Sequence, residues 1–285
     1  MRPLVSVICV SYNHESFVIE ALESVKGQTY SNIEIIIVDD GSRDRSVELI
    51  EKWSQENREV QFLNLKSNHG YCLAFNQALK LAKGEFIIDF ATDDLMTLNK
   101  IEEQVSFFST LSEDYGVVFT DAGYINKDGK HLRDHFSYLL KMGLINEIPE
   151  GDVYTKVLST YFIPSPTMMV KSIVYKTLNG YDENLVYEDF DFWVRSSRIF
   201  KYGYLPRNLM KIRRNINSMS SGWYKQGDRQ LHSTYLVCRK ALQLNQNDIE
   251  KAALVNRLKY ELRQSVFSEN KSIVPLSTRS WSMIR

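Results

Sequence analysis

No stretch of this 285-residue chain approaches the roughly 18–20 uninterrupted apolar residues of a bilayer-spanning helix, so no span is expected. The apolar run after Arg2 gives way at once to Ser11-Tyr12-Asn13-His14, without a cleavage-site pattern, and reads as a strand rather than a signal peptide. Cysteine is scarce: Cys9, Cys72 and Cys238 are far apart and odd in number. Cys9 and Cys72 lie in apolar patterns, which suits reduced core thiols of a cytoplasmic protein. No CxxC or HExxH spacing offers a zinc site, and no GxxxxGK[ST] or GxGxxG loop offers a phosphate cradle. Neither sign of charge is in excess, with Lys+Arg and Asp+Glu at 35 each, which removes the global electrostatic case for nucleic acid.

What is present is an ordinary globular composition, 44% hydrophobic and 25% charged, in a pattern that changes along the chain. Strands are expected over 4–10, 33–38, 60–65, 85–90 and 116–120, and helices over 15–26, 44–56, 71–83 and 98–111. Such alternation predicts a parallel sheet covered on both faces, with ligand sites beyond the carboxyl ends of the strands. After Thr120 the alternation breaks down. Asn126-Lys127-Asp128-Gly129 reads as a hairpin turn, 167–170 as a strand, 188–199 as a helix and 228–268 as continuous helix. The Gly/Ser/Asn-rich stretch 215–227 is the expected hinge before a helical tail.

Three strand or loop ends carry carboxylates. Asp39-Asp40-Gly41-Ser42 suits the start of a helix, where acceptors meet unpaired N–H groups; it also suits an acceptor for a ligand N–H or ribose hydroxyl. Tyr12, beside it across the sheet, adds a flat ring of the kind a nucleobase stacks on, although a packed aromatic reads the same way. Asp93-Asp94 is either a solvated turn or a pair of hard oxygen ligands for Mg²⁺ or Mn²⁺ bound with a diphosphate. Adjacent carboxylates oppose each other's ionisation, and a metal diphosphate would relieve that. Glu188-Asp189-Phe190-Asp191 opens a helix, where acids are unremarkable, yet flanking rings would also make a carboxylate a better proton acceptor. Arg195 can pair with Asp191 one turn on.

Together these stretches resemble the family 2 glycosyltransferases, inverting enzymes of the GT-A fold, an α/β architecture with a nucleotide-binding, mostly parallel central sheet flanked by helices. The resemblance covers about residues 3–215, through PLVSVICVSYNHESFVIEALESVKGQTYSNIEIIIVDDGSRDRS, NHGYCLAFNQALKLAKGEFI, ATDDLMTLNKIEEQV and GYDENLVYEDFDFWVRSS. It implies a transferase domain over 1–217, with a nucleotide-binding half to 120 and an acceptor-side half from 121, and a C-terminal helical extension over 218–285. It places the nucleotide sugar among Val10, Tyr12, Asp39, Asp40, Asn68, Asn76, Asp93 and Arg213, and the metal, Mn²⁺ or Mg²⁺, on Asp94 and Asp93. It makes Asp189 the catalytic base, with Glu188 and Asp191 as alternates. The implied donor is a nucleotide-diphosphate sugar, by family weight a uridine diphosphate sugar. The implied acceptor is a saccharide or polyprenyl-diphosphate-linked saccharide of a surface polysaccharide. Departures are Ala91 where the metal motif usually begins with Asp, Phe75 where an Arg is common, and Asn215 where a His is common. They keep a non-catalytic nucleotide-sugar-binding module in view, and a sugar nucleotidyltransferase is a further alternative. Basic residues from Arg207 to Arg229 and the tail 271–285 with Trp281 permit peripheral contact with an anionic membrane. Oligomeric state stays open, a homodimer through the C-terminal helices being one arrangement. Asp89, inside a strand of apolar residues, has no account from sequence.

Overall fold

The computed structural model describes residues 2–214 and 229–267, so the expected hinge at 215–227, Asn215 and the tail 271–285 lie outside the described residues. In chain order, β1 (Val5–Ser11), α1 (Val18–Lys26), β2 (Ile33–Asp39), α2 (Ser46–Glu56), β3 (Gln61–Asn64), α3 (Tyr71–Leu79) and β4 (Phe86–Ala91) alternate as expected. Next come β5 (Leu95–Met96), α4 (Lys100–Phe108), β6 (Tyr115–Ile125), β7 (His131–Asp134), α5 (His135–Lys141) and α6 (Tyr154–Ser159). The described chain closes with β8 (Met169–Lys171), α7 (Ser172–Leu178), α8 (Asp189–Ser197), β9 (Lys201–Arg213), α9 (Arg229–Leu244) and α10 (Asp248–Phe267).

The strands form one sheet in the order β3-β2-β1-β4-β8-β6-β9-β5, with β7 paired to β6. β1, β2, β3 and β4 are mutually parallel, as the alternation predicts. The second half is mixed: β8 runs antiparallel to both β4 and β6, while β9 runs parallel to β6. Successive residues of β1 and β2 feed opposite cores, which is why their sequences are continuously apolar. Ile8, Val10, Ile36 and Val38 pack on one face with Phe75 and Phe119. Val7, Cys9, Ile35 and Ile37 pack on the other with Leu22 and Ile101.

Two parts of the sequence reading are corrected. β9 was not expected, because Lys201–Arg213 mixes exposed and buried positions irregularly and contains Pro206. The sheet absorbs that proline in a register shift: Thr120 faces Leu205, and the next residue, Asp121, faces Asn208. The helical stretch 228–268 is two helices, not one. Asn247 Oδ1 accepts the Glu250 backbone N–H at 2.9 Å while Glu250 carboxylate oxygens take the Gln246 N–H and the Asn247 amide, so the polar 245–247 stretch starts a new helix. Val237, Ala241, Ala253, Leu254 and Leu258 of this pair share the apolar core of Phe162, Phe190 and Trp193. No helix among the described residues is long and apolar enough to cross a membrane.

Candidate active site

The carboxyl ends of β1, β2 and β4 meet along one rim. Asn13 adopts a left-handed backbone (φ 56°) and bonds the next loop twice: its N–H donates to Ser42 Oγ at 2.8 Å, and its Oδ1 accepts the Arg43 N–H at 2.8 Å. His14 reaches the third loop, with Nδ1 2.9 Å from Thr92 Oγ1 and Nε2 3.9 Å from Asp93 Oδ2. Tyr12 lies on the lip with its ring exposed. Asp39 and Asp40 are both buried, and each carboxylate is already engaged. Asp39 accepts the Ser42 N–H and hydroxyl at 2.8 and 2.6 Å and so closes the turn after β2; α2 starts only at Ser46, so this carboxylate does not cap it as the capping reading expected. Asp40 accepts the N–H groups of His69 and Gly70 at 2.8 and 2.9 Å, which docks the loop after β3 onto the rim. Burial raises the Asp40 pKa, and those two bonds oppose the rise. Asn68, also expected at the nucleotide, is an exposed residue of that docked loop. A carboxylate oxygen has two lone pairs, so these bonds leave Asp40 acceptor capacity.

Gly41 makes the docking possible. Its φ is +72°, and a Cβ there would stand 2.4 Å from the Ser67 carbonyl carbon. Gly41→Ala is therefore expected to displace the 67–70 loop and lower the melting temperature; an unchanged melt and loop proteolysis pattern would count against this close approach.

Asp93 and Asp94 follow β4. Asp94 is 3% exposed, and its Oδ1 accepts the Arg213 backbone N–H at 2.7 Å. Burial, then the charge of Asp93, pushes the Asp94 carboxyl well above the usual range. The Arg213 N–H and the nearby Arg214 and Arg213 charges pull against that. Arg213 differs from expectation. Its guanidinium is spent on the Asp93 carbonyl (2.9 Å), the Lys127 carbonyl (2.9 Å) and Glu20 (2.9 Å), and it stacks over Phe17. It braces the acidic turn from behind rather than facing a ligand phosphate. Among the described residues no group of three or more His, Cys, Asp or Glu could hold a metal ion by itself. Two carboxylates with one oxygen tied down fit a magnesium or manganese ion whose remaining ligands are substrate phosphates and water. The unfavourable charge on Asp94 is what such a cation would stabilise.

The third acidic group opens α8. Glu188 and Asp189 are half-buried, and Glu188 Oε2 and Asp189 Oδ1 are buried oxygens with no hydrogen-bond partner among the described residues. Asp189 is raised from its ordinary pKa by burial, with Glu188 and Ser165 drawing it partly back. Glu188 is raised further, by burial and then by the charges of Asp189 and Asp89. Asp191 points elsewhere: two residues on in a helix is about 200° around the axis. Its oxygens are ion-paired at 2.6 Å to Arg195 and at 2.6 Å to Lys240, so it ties α8 to α9 and is not an alternate base.

Asn76 also has a structural place. Its Oδ1 accepts the Tyr181 N–H and its Nδ2 donates to the Tyr181 carbonyl, both at 2.9 Å, clamping α3 to the loop before α8. Asn76→Ala would strand both backbone groups and is expected to cost roughly 2–3 kcal/mol, read by urea denaturation. Val10, buried, holds the acidic turn through its carbonyl, which accepts the Thr92 N–H at 3.0 Å. Three residues at the site were not singled out from sequence: His14, Tyr71 and Tyr181. His14 had a signal in its position just past β1; the tyrosines are identified only by tertiary contacts with Asp89, whose oxygens accept the Tyr71 hydroxyl at 2.7 Å and the Tyr181 hydroxyl at 2.8 Å.

Comparison with known proteins follows the same outline. The model of the family described as glycosyl transferase family 2 matches residues 6–178. A glycosyltransferase of Rickettsia bellii (strain RML369-C), described as uncharacterized, is 31% identical over 229 residues, which is 78% of this chain and 31% of that protein. One from Methanocaldococcus jannaschii, likewise described, is 28% identical over 221 residues, 74% of this chain and 71% of that protein. The chain spans less than two thirds of the length of the Rickettsia bellii relative and of a Rickettsia typhi one (64%). Among solved structures, Staphylococcus aureus TarS 1–349 in complex with UDP-GlcNAc superposes with a TM-score of 0.71 at 20% identity, covering 94% of this chain and 74% of that one. The mannosyltransferase PcManGT of Pyrobaculum calidifontis, in complex with GDP-Man and Mn²⁺, gives 0.63 at 15% identity, covering 100% and 84%. The expected α/β GT-A architecture is thereby matched.

Proposed function

The chain belongs to glycosyltransferase family 2, and we propose that it moves a sugar from a nucleotide-diphosphate donor, a UDP-sugar by preference, to an acceptor hydroxyl with inversion at the anomeric carbon. The observation that carries the reading is the rim itself: an exposed ring, Tyr12, and the carboxylate pair Asp93-Asp94 stand on adjoining loops held together by Asn13 and His14. Tyr12 with Asp40 and Asn68 would receive the nucleobase and ribose, and Asp93 with Asp94 would hold Mn²⁺ or Mg²⁺. That ion, when bound with donor, offsets negative charge on the departing diphosphate. Arg213 keeps the acidic turn in place through Asp94 and the Asp93 carbonyl.

The chemistry left to the chain is proton removal. Asp189, with an unpartnered buried oxygen, accepts the proton of the acceptor hydroxyl as that oxygen attacks from the face opposite the diphosphate. A half-buried carboxylate with a raised pKa holds that proton better than a solvated one. The acceptor reading is a saccharide or polyprenyl-diphosphate-linked saccharide in surface-polysaccharide assembly, with peripheral contact at the cytoplasmic face of the membrane. The TarS and PcManGT complexes with UDP-GlcNAc and with GDP-Man and Mn²⁺ support the donor class and the metal.

The test is a nucleotide-sugar panel with and without Mn²⁺ or Mg²⁺, scored by thermal shift and by product analysis. Metal-dependent release of nucleoside diphosphate is the expected result. Pyrophosphate release would mean nucleotidyl transfer instead. Tight binding without turnover across donors and acceptors would mean a binding module.

A further inference from the structure

Asp182 and Asp191 bracket the segment that carries Glu188 and Asp189 into α8. In sequence one is an acid of a loop and the other an acid of a first helical turn, and nothing joins them. In the fold one ammonium does: Lys240 Nζ donates to Asp182 Oδ2 and to Asp191 Oδ1, each at 2.6 Å. Lys240 belongs to α9, where Ser233, Val237 and Lys240 recur at four- and three-residue spacing and so share one side of the helix. α9 meets the same segment at two further points. Ser233 Oγ accepts the Val186 N–H at 3.0 Å, and the Tyr187 hydroxyl lies 2.6 Å from Thr234 Oγ1. Residues 182–191 and α9 both lie beyond 6–178, the stretch that the family model matches.

The bridge acts on direction as well as on distance. Asp191 is 1% exposed, and its other oxygen accepts the Arg195 Nε–H at 2.6 Å. Arg195 also donates to the carbonyls of Leu178 and Gly180, at 2.8 and 3.0 Å. The charge of Asp191 is thus balanced from within α8, and what Lys240 adds is a tie to Asp182 and to α9. Two residues along a helix is about 200° around its axis. Holding Asp191 against α9 therefore turns Asp189 to the opposite side of α8, where its Oδ1 has no hydrogen-bond partner among the described residues.

We propose that Lys240 is a positioning residue for the base: by bridging Asp182 and Asp191 it locks the 182–191 segment onto α9 and fixes the direction in which Asp189 meets the acceptor. The inference rests on the transferase reading and on Asp189 as its base. A base acts only within hydrogen-bond reach of the proton it takes, so ångström-scale freedom in its segment lowers turnover. Donor binding falls to the loops after β1, β2 and β4, none of which Lys240 bridges, and it is left as it was.

The experiment is Lys240→Met, which keeps an unbranched stem and removes the charge. Turnover is read as release of UDP from a UDP-sugar in Mn²⁺, and donor binding as the Kd of UDP in Mn²⁺. The kcat should fall about ten- to a hundredfold with that Kd unchanged, and amide hydrogen exchange across 183–189 should quicken. Lys240→Arg, whose guanidinium also spans two carboxylates, should recover most of the loss. Asp182→Asn keeps an oxygen for the Asn184 N–H and sets an amide against Lys240, so it should lower kcat in the same direction; it carries the test if Lys240→Met does not fold. The double variant should be no slower than Lys240→Met alone, since one bridge is broken twice. Glu250→Ala is the control. It removes the Arg198 ion pair and the Gln246 and Asn247 bonds at the start of α10, so it should lower the melting temperature and leave kcat alone. A parent kcat in Lys240→Met, an equal kcat loss in Glu250→Ala, or losses that add in the double variant would overturn the proposal. If Asp189→Asn retains turnover, the base reading fails first; if it loses turnover while Lys240→Met keeps the parent kcat, only the role of Lys240 falls.

Discussion

Asp189→Asn is expected to transfer sugar roughly 10²–10⁴-fold more slowly than the parent while binding donor nucleotide almost unchanged. The side chain keeps its volume and one carbonyl oxygen, so α8 should start as before. What is lost is a group that can take a proton. The residual rate has a named source. Burial, then the charges of Asp189 and Asp89, push the Glu188 carboxyl well above the usual range, and removing the first of those charges lets it ionise more readily. The double variant Glu188→Gln with Asp189→Asn should therefore fall further than Asp189→Asn alone.

The same change has a stability signature of opposite sign. Asp189 has a folded pKa raised above its ordinary 3.8, so the folded state holds its proton more tightly than the unfolded chain does. The unfolded chain releases that proton first. Stability from this group therefore falls as pH rises from near 3.8 toward the raised folded value, and stays low above it. Asp189→Asn should melt higher than the parent at pH 8 and gain less, or nothing, at pH 4. Calorimetry at both values checks this. A near-parent transfer rate, or a variant that melts lower at pH 8 than at pH 4 relative to the parent, would remove Asp189 from the role.

The second large effect is expected at Asp94. Asp94→Asn preserves an oxygen for the Arg213 backbone N–H and deletes only the charge. Metal-dependent nucleotide binding should weaken by about tenfold or more, because the ion loses one of its two protein carboxylates. Transfer should fall at least in proportion. Asp94→Ala removes the accepting oxygen as well, leaves a buried N–H unsatisfied, and should add a folding cost of about 1–3 kcal/mol by urea denaturation. The pair of variants separates the two duties of one side chain. If Asp94→Asn binds nucleotide in Mn²⁺ as tightly as the parent, the metal assignment at this turn is wrong.

The structure also answers the departures from the family pattern. Phe75, where an arginine is common, is fully buried against Tyr175 and Tyr181 and belongs to the apolar layer that seats Asp89. Asp89, which has no account from sequence, is the acceptor of two tyrosine hydroxyls. No contact accounts for Ala91.

By itself the sequence determined the strand-helix alternation to residue 111, the parallel direction of β1 to β4, the hairpin at Asn126 to Gly129 and the strand-end placement of Tyr12, Asp40, Asp93 and Asp94. Those features follow from short-range rules: apolar period, turn chemistry, and side chains emerging where a strand stops. Only the tertiary structure decided which polar side chains are committed to holding the fold. Asp191, Asn76 and Arg213 have the residue types a ligand site wants, and each is committed instead to a partner distant in sequence or on another element. The Asn76 bond to Tyr181 spans 105 residues and the Arg213 guanidinium bond to the Asp93 carbonyl spans 120. A hydrogen-bonding group looks the same in sequence whether its partner is a ligand or a remote backbone amide, and chain pairing over such separations follows from packing of the whole sheet, which no local pattern encodes.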